Sequence, residues 1–408
     1  MRLFIVFASI LLSVNINASE VSDSRPPGVT GETWQFGPLN RWAYTHIREI
    51  LPTKNIANNP SFIQPIPGIK EAKKDLQINF DGQSVLLSEL MKSQFIDGIL
   101  IIKNGTAMVE LYGGTLKPNR THLMWSVSKT IAGLTAASVE ADGLINLSNT
   151  VGDYVPELTN SGWGENTLRE ILDMRDSSNW VEDYDSPEST VRRQDCADGL
   201  LTGPMCIDTA VIGNYKFLPA VGKEASRKGK FVYKSGTADV MAWVLEAATR
   251  KRYADLVSER LWKPIGAESN AGITVDVSGF TLASGGMFAS LRDTAKIGQL
   301  ILNKGQAGKT QVVPENWIND MTDQPGDNSI MPLGSESINP YYRSFIWGIG
   351  DGEGTVLANG VHGQFVYISP KTGVVITIFS TWPNADGGAP EVGLESAMEI
   401  IEAIKNSI

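Results

Sequence analysis

Three histidines and two cysteines are all that this 408-residue chain offers to a soft metal or a redox centre. His46, His122 and His362 lie far apart, and no His-x-x-x-His or Cys-x-x-Cys spacing occurs, so zinc catalysis has little to build on and no cofactor is expected. Basic residues are also short, 35 against 45 acidic for a formal net charge of −10, which disfavours nucleic acid as a partner. Beyond the N-terminus no stretch approaches the roughly 20 apolar residues of a membrane span. Neither internal repeats nor a Gly-x-Ser-x-Gly elbow are found.

What is present begins at residues 1–18. Met1-Arg2, an apolar-leaning run over residues 3–14 and Asn15-Ile16-Asn17-Ala18 have the pattern of a secretory leader cleaved after Ala18, which puts the protein in the periplasm or outside the cell. The cleavage site has no cysteine, which argues against a lipid anchor. In an exported protein, Cys196 and Cys206, close in sequence, point to a local disulfide. An apolar content of 42% is enough for a large core.

The stretch with most chemistry in it is Trp125-Ser126-Val127-Ser128-Lys129-Thr130, leading into a run of small apolar residues. If a helix starts near Ser126, Ser-x-x-Lys spacing puts the hydroxyl and the amine on one face of its first turn. A lysine kept partly neutral by desolvation can then take the serine proton. The helix N-terminus offers N–H groups to an oxyanion. On four letters alone the plain alternative, a helix cap beside a solvated charge, is the better reading. Later signals reverse it.

Residues 19–94, rich in Pro and Asn, are expected to wrap the molecule, with short helices near residues 41–50 and 88–92. Residues 99–103 and 106–112 are β-rich and joined by Asn104-Gly105, a strong hairpin signal. A hairpin directly before a long helix points to an α+β fold, not a doubly wound parallel sheet. Thr167-Leu168-Arg169-Glu170 has capping-box spacing, residues 179–209 read as an irregular loop overhanging a site, and Tyr233 precedes a further helix. Strands return at residues 345–349, 363–369 and 373–380, before a final helix at 392–405. The expected architecture is an antiparallel sheet flanked by helices, built from residues 19–125 and 271–408, with a mainly helical region at 126–270 that carries the nucleophile helix.

Tyr233-Lys234-Ser235 downstream of Ser-x-x-Lys resembles the serine hydrolases related to class C β-lactamases, whose signature pairs Ser-x-x-Lys with Tyr-x-Asn or Tyr-x-Ser. The resemblance runs from Asn40-Arg41-Trp42 to the last strands and is closest to esterases and the 6-aminohexanoate-dimer hydrolase group. That group shares Ile171-Leu172-Asp173-Met174 and the aromatic loop Asp183-Tyr184-Asp185-Ser186-Pro187. It implies a β-lactamase/DD-peptidase-like fold, with Tyr233 as proton relay and Tyr184 assisting the leaving amine. The literal Lys371-Thr372-Gly373 reads as a hairpin turn, not the family's Lys-Thr-Gly motif. That motif matches Ala358-Asn359-Gly360, followed by Val361-His362. The usual cation, which in relatives helps bind a substrate carboxylate, is thus replaced by Ala358. The match implies an oxyanion hole from the Ser126 and Val361 amides, with Gly360 allowing close approach. His362 either lines the pocket or packs beside the strand.

The expected function is an exported serine hydrolase that acts on a small carboxylic ester or linear amide, with Ser126 as nucleophile and Lys129 as base. The alternatives are a β-lactamase or D-amino-acid peptidase with the same residues, or a catalytically silent binding or sensor module.

Overall fold

The computed structural model describes residues 24–388 and 391–408, so the leader expected at 1–18 lies outside the described residues. The chain forms an α+β fold around a seven-stranded antiparallel sheet. Its strand order in space is Tyr341–Arg343, Ile346–Gly348, Val356–Gly360, Gln364–Ser369, Val374–Ser380, Ile96–Lys103 and Thr106–Tyr112. Asn104 and Gly105 both take positive φ, 48° and 76°, the geometry a tight two-residue hairpin needs. The following hairpin turns at Lys371-Thr372-Gly373, between Ser369 and Val374.

Both faces of this sheet are covered, which is why the strand Ile96–Lys103 is apolar and buried along nearly its whole length. Leu100 and Ile102 share one core with Ile297 and Leu300 of the Leu291–Leu302 helix. Ile99 and Ile101 share the other with Ile400, Ile401 and Ile404 of the Leu394–Lys405 helix.

The Val127–Ala141 helix packs between the sheet strand Val356–Gly360 and the Ser235–Thr249 helix, and is buried along almost its whole length. Small residues permit this close fit. A Cβ on Gly133 would lie 2.3 Å from the Ser344 carbonyl oxygen, and Thr130 Oγ1 donates to the Phe345 carbonyl at 2.9 Å. A second sheet, ordered Thr53–Ile56, Ala271–Thr274, Met287–Ala289 and His122–Leu123, joins the segment before Ser126 to the one after Ser284. It thereby brings distant stretches of chain to the start of the Val127–Ala141 helix.

Two local expectations change. The single helix expected at residues 41–50 is broken into Asn40–Ala43 and Ile47–Glu49, because Thr45 Oγ1 and His46 Nδ1 both bond the Trp42 carbonyl that a continuing helix would use. The loop expected at residues 179–209 contains a helix, Thr190–Ala197, capped by Ser189. Its sequence Arg192-Arg193-Gln194-Asp195 shows no apolar stripe because polar partners hold Arg192 and Gln194, while only Val191 and Ala197 at its two ends join the core. Among the described residues no helix is long and apolar enough to cross a membrane.

Replacing Gly133 by alanine forces the helix away from Ser344. We expect a loss of about 1–3 kcal/mol in unfolding free energy by urea titration; an unchanged midpoint contradicts this packing.

Candidate active site

The turn that opens the Val127–Ala141 helix is a strained junction held by aromatic rings. Trp125 adopts φ 45°, in the left-handed region, immediately before Ser126, the N-cap of the Val127–Ala141 helix. Its indole stacks between Trp34 at 5.7 Å and His362 at 5.6 Å, which fixes the conformation.

Lys129 is buried to 1% exposure, with Nζ 2.6 Å from Ser126 Oγ and 2.6 Å from the Ser284 carbonyl oxygen. Burial pushes this amine down to about 8, against the opposing pull of the Glu182 and Asp239 carboxylates. Asp239 stands behind Ser284: it accepts from the Ser284 amide at 2.8 Å and from Gln194 Nε2 at 2.7 Å. Burial raises Asp239 to about 6.

Tyr233, in the turn before the Ser235–Thr249 helix, faces the same amine, with Lys129 Nζ 5.2 Å from its ring centre. Its ring stacks on Trp347 at 5.4 Å. Burial and the Glu182 charge push the phenol well above its ordinary range, while the nearby Ser126 hydroxyl pulls the other way. Tyr233 is therefore a neutral phenol at physiological pH, able to give a proton.

Glu182 was not legible as a site residue from the sequence. Its carboxylate accepts from Tyr184 Oη at 2.5 Å, Trp180 Nε1 at 2.5 Å, the Ser235 amide at 2.8 Å and the Ser235 hydroxyl. It ties the aromatic loop to the Tyr-x-Ser turn, and its place two residues before Tyr184 is the only available signal.

On the sheet side, a Cβ on Gly360 would lie 2.8 Å from the Met124 carbonyl oxygen and 2.9 Å from the Ser126 nitrogen, so only glycine lets this strand end come so close. The Ser126 and Val361 amides find no acceptor among the described residues. His362 is packed: its Nδ1 donates to the Trp382 carbonyl at 2.8 Å, and burial drops it to about 4, so it is neutral. Ala358 is buried in the Val356–Gly360 strand, and Lys371 pairs instead with Glu353. Cys196 and Cys206 are joined by a disulfide, which ties down the chain that follows Asp195.

Two cavities meet at Ser126, and Tyr184 and Val361 line both. One, about 50 Å³, is deep and bounded by Trp34, Gln35, Arg192, Asp195 and Thr274. The other, about 400 Å³, opens past Tyr233, Trp347, Trp382 and Asp386, with no lysine or arginine in its wall. Gln35 and Asp195 carry no motif and were invisible without the fold.

The beta-lactamase family model matches residues 86–394. The chain belongs to the beta-lactamase family. It is 31% identical over 390 residues to the 6-aminohexanoate-dimer hydrolase of Paenarthrobacter ureafaciens, covering 91% of this chain and 94% of that protein. A solved Bacillus anthracis structure, described as a candidate 6-aminohexanoate-dimer hydrolase, superposes with a TM-score of 0.78 at 28% identity, over 93% of this chain and 95% of that one. A D-stereospecific amidohydrolase from Streptomyces shares the fold at a TM-score of 0.54 and 16% identity, over 77% and 95% of the two chains. This beta-lactamase-family chain is a hydrolase, and its Ser126 and Lys129 sit in bonding contact.

With the Lys129 amine at about 8, the neutral form that accepts a proton from Ser126 grows as pH rises through that value. Labelling of Ser126 by a fluorophosphonate should accelerate between pH 7 and pH 9 and be lost in Lys129→Met; a flat rate contradicts the assignment.

Proposed function

We propose that this protein is an exported serine hydrolase that cleaves a linear amide, or the corresponding ester, through an acyl-enzyme on Ser126. The observation that carries the reading is the 2.6 Å contact between the buried Lys129 amine and the Ser126 hydroxyl. Ser126 Oγ attacks the carbonyl carbon while its proton passes to neutral Lys129. The oxyanion is received by the Ser126 and Val361 amides, at a helix N-terminus. As the C–N bond breaks, the nitrogen takes a proton from the Tyr233 phenol, which is restored from Lys129. Water then repeats the sequence against the ester and frees Ser126.

The amide preference rests on the relative named for 6-aminohexanoate dimer, a linear amide, and on Tyr184, a second phenol between the two cavities. An amine departs poorly without a proton, whereas p-nitrophenolate does not need one. The apolar start of the chain and the Cys196–Cys206 disulfide support export. A β-lactamase or D-amino-acid peptidase would use the same three side chains. Ala358 and the absence of a basic residue from the open cavity leave a substrate carboxylate there without a partner. A silent binding module has no use for a buried lysine bonded to a serine.

Ser126→Ala should abolish turnover of both p-nitrophenyl esters and linear amides; retained turnover would sink the mechanism. Tyr233→Phe should lower kcat for amides by about 10²-fold, the low end for a lost general acid, while p-nitrophenyl ester turnover changes little. Equal losses on both substrates would contradict the role given to Tyr233.

A further inference from the structure

Tyr233 belongs to residues 231–234, a stretch without regular structure. Its backbone is lightly held: the Val232 amide donates to the Met174 carbonyl at 3.1 Å, and the Lys234 amide meets the Met174 sulfur, a weak acceptor, at 3.4 Å. Side chains beyond the phenol do more. Ser235 is bonded to Glu182, and the Lys234 amine donates to the Asp176 carbonyl at 2.6 Å and to Asp176 Oδ1 at 2.8 Å. Neither member of this ion pair has any exposed side-chain area. Asp176 is anchored in turn. Its Oδ1 also accepts from the Ser178 amide at 3.0 Å and the Ser178 hydroxyl at 2.6 Å. Its Oδ2 accepts from Thr237 Oγ1 at 3.0 Å, and that hydroxyl accepts from Trp163 Nε1 at 3.0 Å. Lys234 thus ties the turn that carries Tyr233 to residues 174–178 and to the first turn of the Ser235–Thr249 helix.

Stability does not account for the pair. Taking two charges wholly out of water is costly, and apolar side chains of the same volume are often as stable or more so. Substrate contact does not account for it either, because neither residue lines the cavities that meet at Ser126. What the pair supplies is a fixed point on the residue next to Tyr233, and the Ser235–Glu182 contact supplies a second one residue further on. The Tyr233 ring rests on Trp347 at 5.4 Å and meets Tyr342 edge-on at 6.0 Å. Such contacts set the plane of the phenol more than its reach, which the backbone beneath it fixes. Reach is what a proton donor needs: it must lie within hydrogen-bond distance of the atom it protonates, and a misplacement of about 1 Å can cost about 10²-fold.

We propose that Lys234 and Asp176 are positioning residues, whose buried ion pair holds the Tyr-x-Ser turn so that the Tyr233 phenol reaches the departing nitrogen, and that they serve amide cleavage through Tyr233 alone. The inference rests on the serine hydrolase reading above. It gives a task to the middle residue of Tyr233-Lys234-Ser235, whose side chain is enclosed away from the substrate.

The test removes the pair as a unit. Lys234→Met/Asp176→Asn leaves no charge unpaired, and the new amide keeps an acceptor for Ser178 and offers a donor to the Thr237 hydroxyl. Counted per active site titrated with a fluorophosphonate, kcat for a linear amide should fall about ten-fold, the scale of a partly misplaced reacting group. KM and the kcat for a p-nitrophenyl ester should change little. Asp176→Asn alone, the milder change, should give an amide-to-ester ratio between wild type and the double variant, and it decides the matter if the double variant yields no titratable site. In a Tyr233→Phe background the double substitution should leave the ratio where Tyr233→Phe has put it, because nothing remains for the pair to position. A pair that only stabilises the fold lowers both substrates together or lowers the number of titrated sites. Equal losses on amide and ester, a ratio unchanged in the variants, or a further fall of the ratio in the Tyr233→Phe background would overturn the positioning role. Intact-mass measurement separates the two levels of the claim. An adduct on Ser126 together with any of those outcomes refutes the positioning role alone, whereas no adduct in the wild-type enzyme refutes the hydrolase reading.

Discussion

The cost of keeping the Lys129 amine out of water, 2.6 Å from the Ser126 hydroxyl, sets what the surrounding structure must supply. A fully isolated buried ammonium is prohibitively unstable, and one well compensated by carboxylates would keep its proton and be useless as a base. The fold strikes a position between these limits. The Ser284 carbonyl takes one hydrogen bond directly, while Asp239 and Glu182 act from behind it and across from it. Desolvation outweighs their pull, and the amine settles where it can exchange a proton near neutral pH.

Meeting that requirement explains features that otherwise look unrelated. The Val127–Ala141 helix is built of small residues because it must be enclosed on every side, between a sheet and a second helix. The second sheet exists across a long span of sequence, and it delivers Ser284 to the lysine. Trp125 holds a left-handed backbone, an unfavourable state for a bulky residue, and the stack of Trp34, Trp125 and His362 compensates for it. Gly360 closes the site from the sheet side because any side chain there would strike the Ser126 turn.

Much of this was legible in the sequence, for physical reasons. Ser126 and Lys129 are read from one helical turn, and the hairpin at Asn104-Gly105 from its turn chemistry. Ala358-Asn359-Gly360 could be read as strand and Lys371-Thr372-Gly373 as a turn because the latter sits between two apolar runs. Illegible were contacts with no periodicity. Glu182 matters through four donors from two stretches of chain, and Asp239 through a backbone amide. The Thr190–Ala197 helix was missed because polar contacts of Arg192 and Gln194 fill its middle, and Gln35 because its meaning depends on Arg192 far along the chain.

The central claim is that Ser126, activated by a desolvated Lys129, carries the acyl group. Rapid mixing with an activated ester, followed by intact-mass and peptide analysis, tests it most directly. The account predicts a burst of leaving group close to one equivalent of enzyme, and an acyl mass on the peptide containing Ser126. Steady turnover with no burst and an unmodified Ser126 peptide would contradict it.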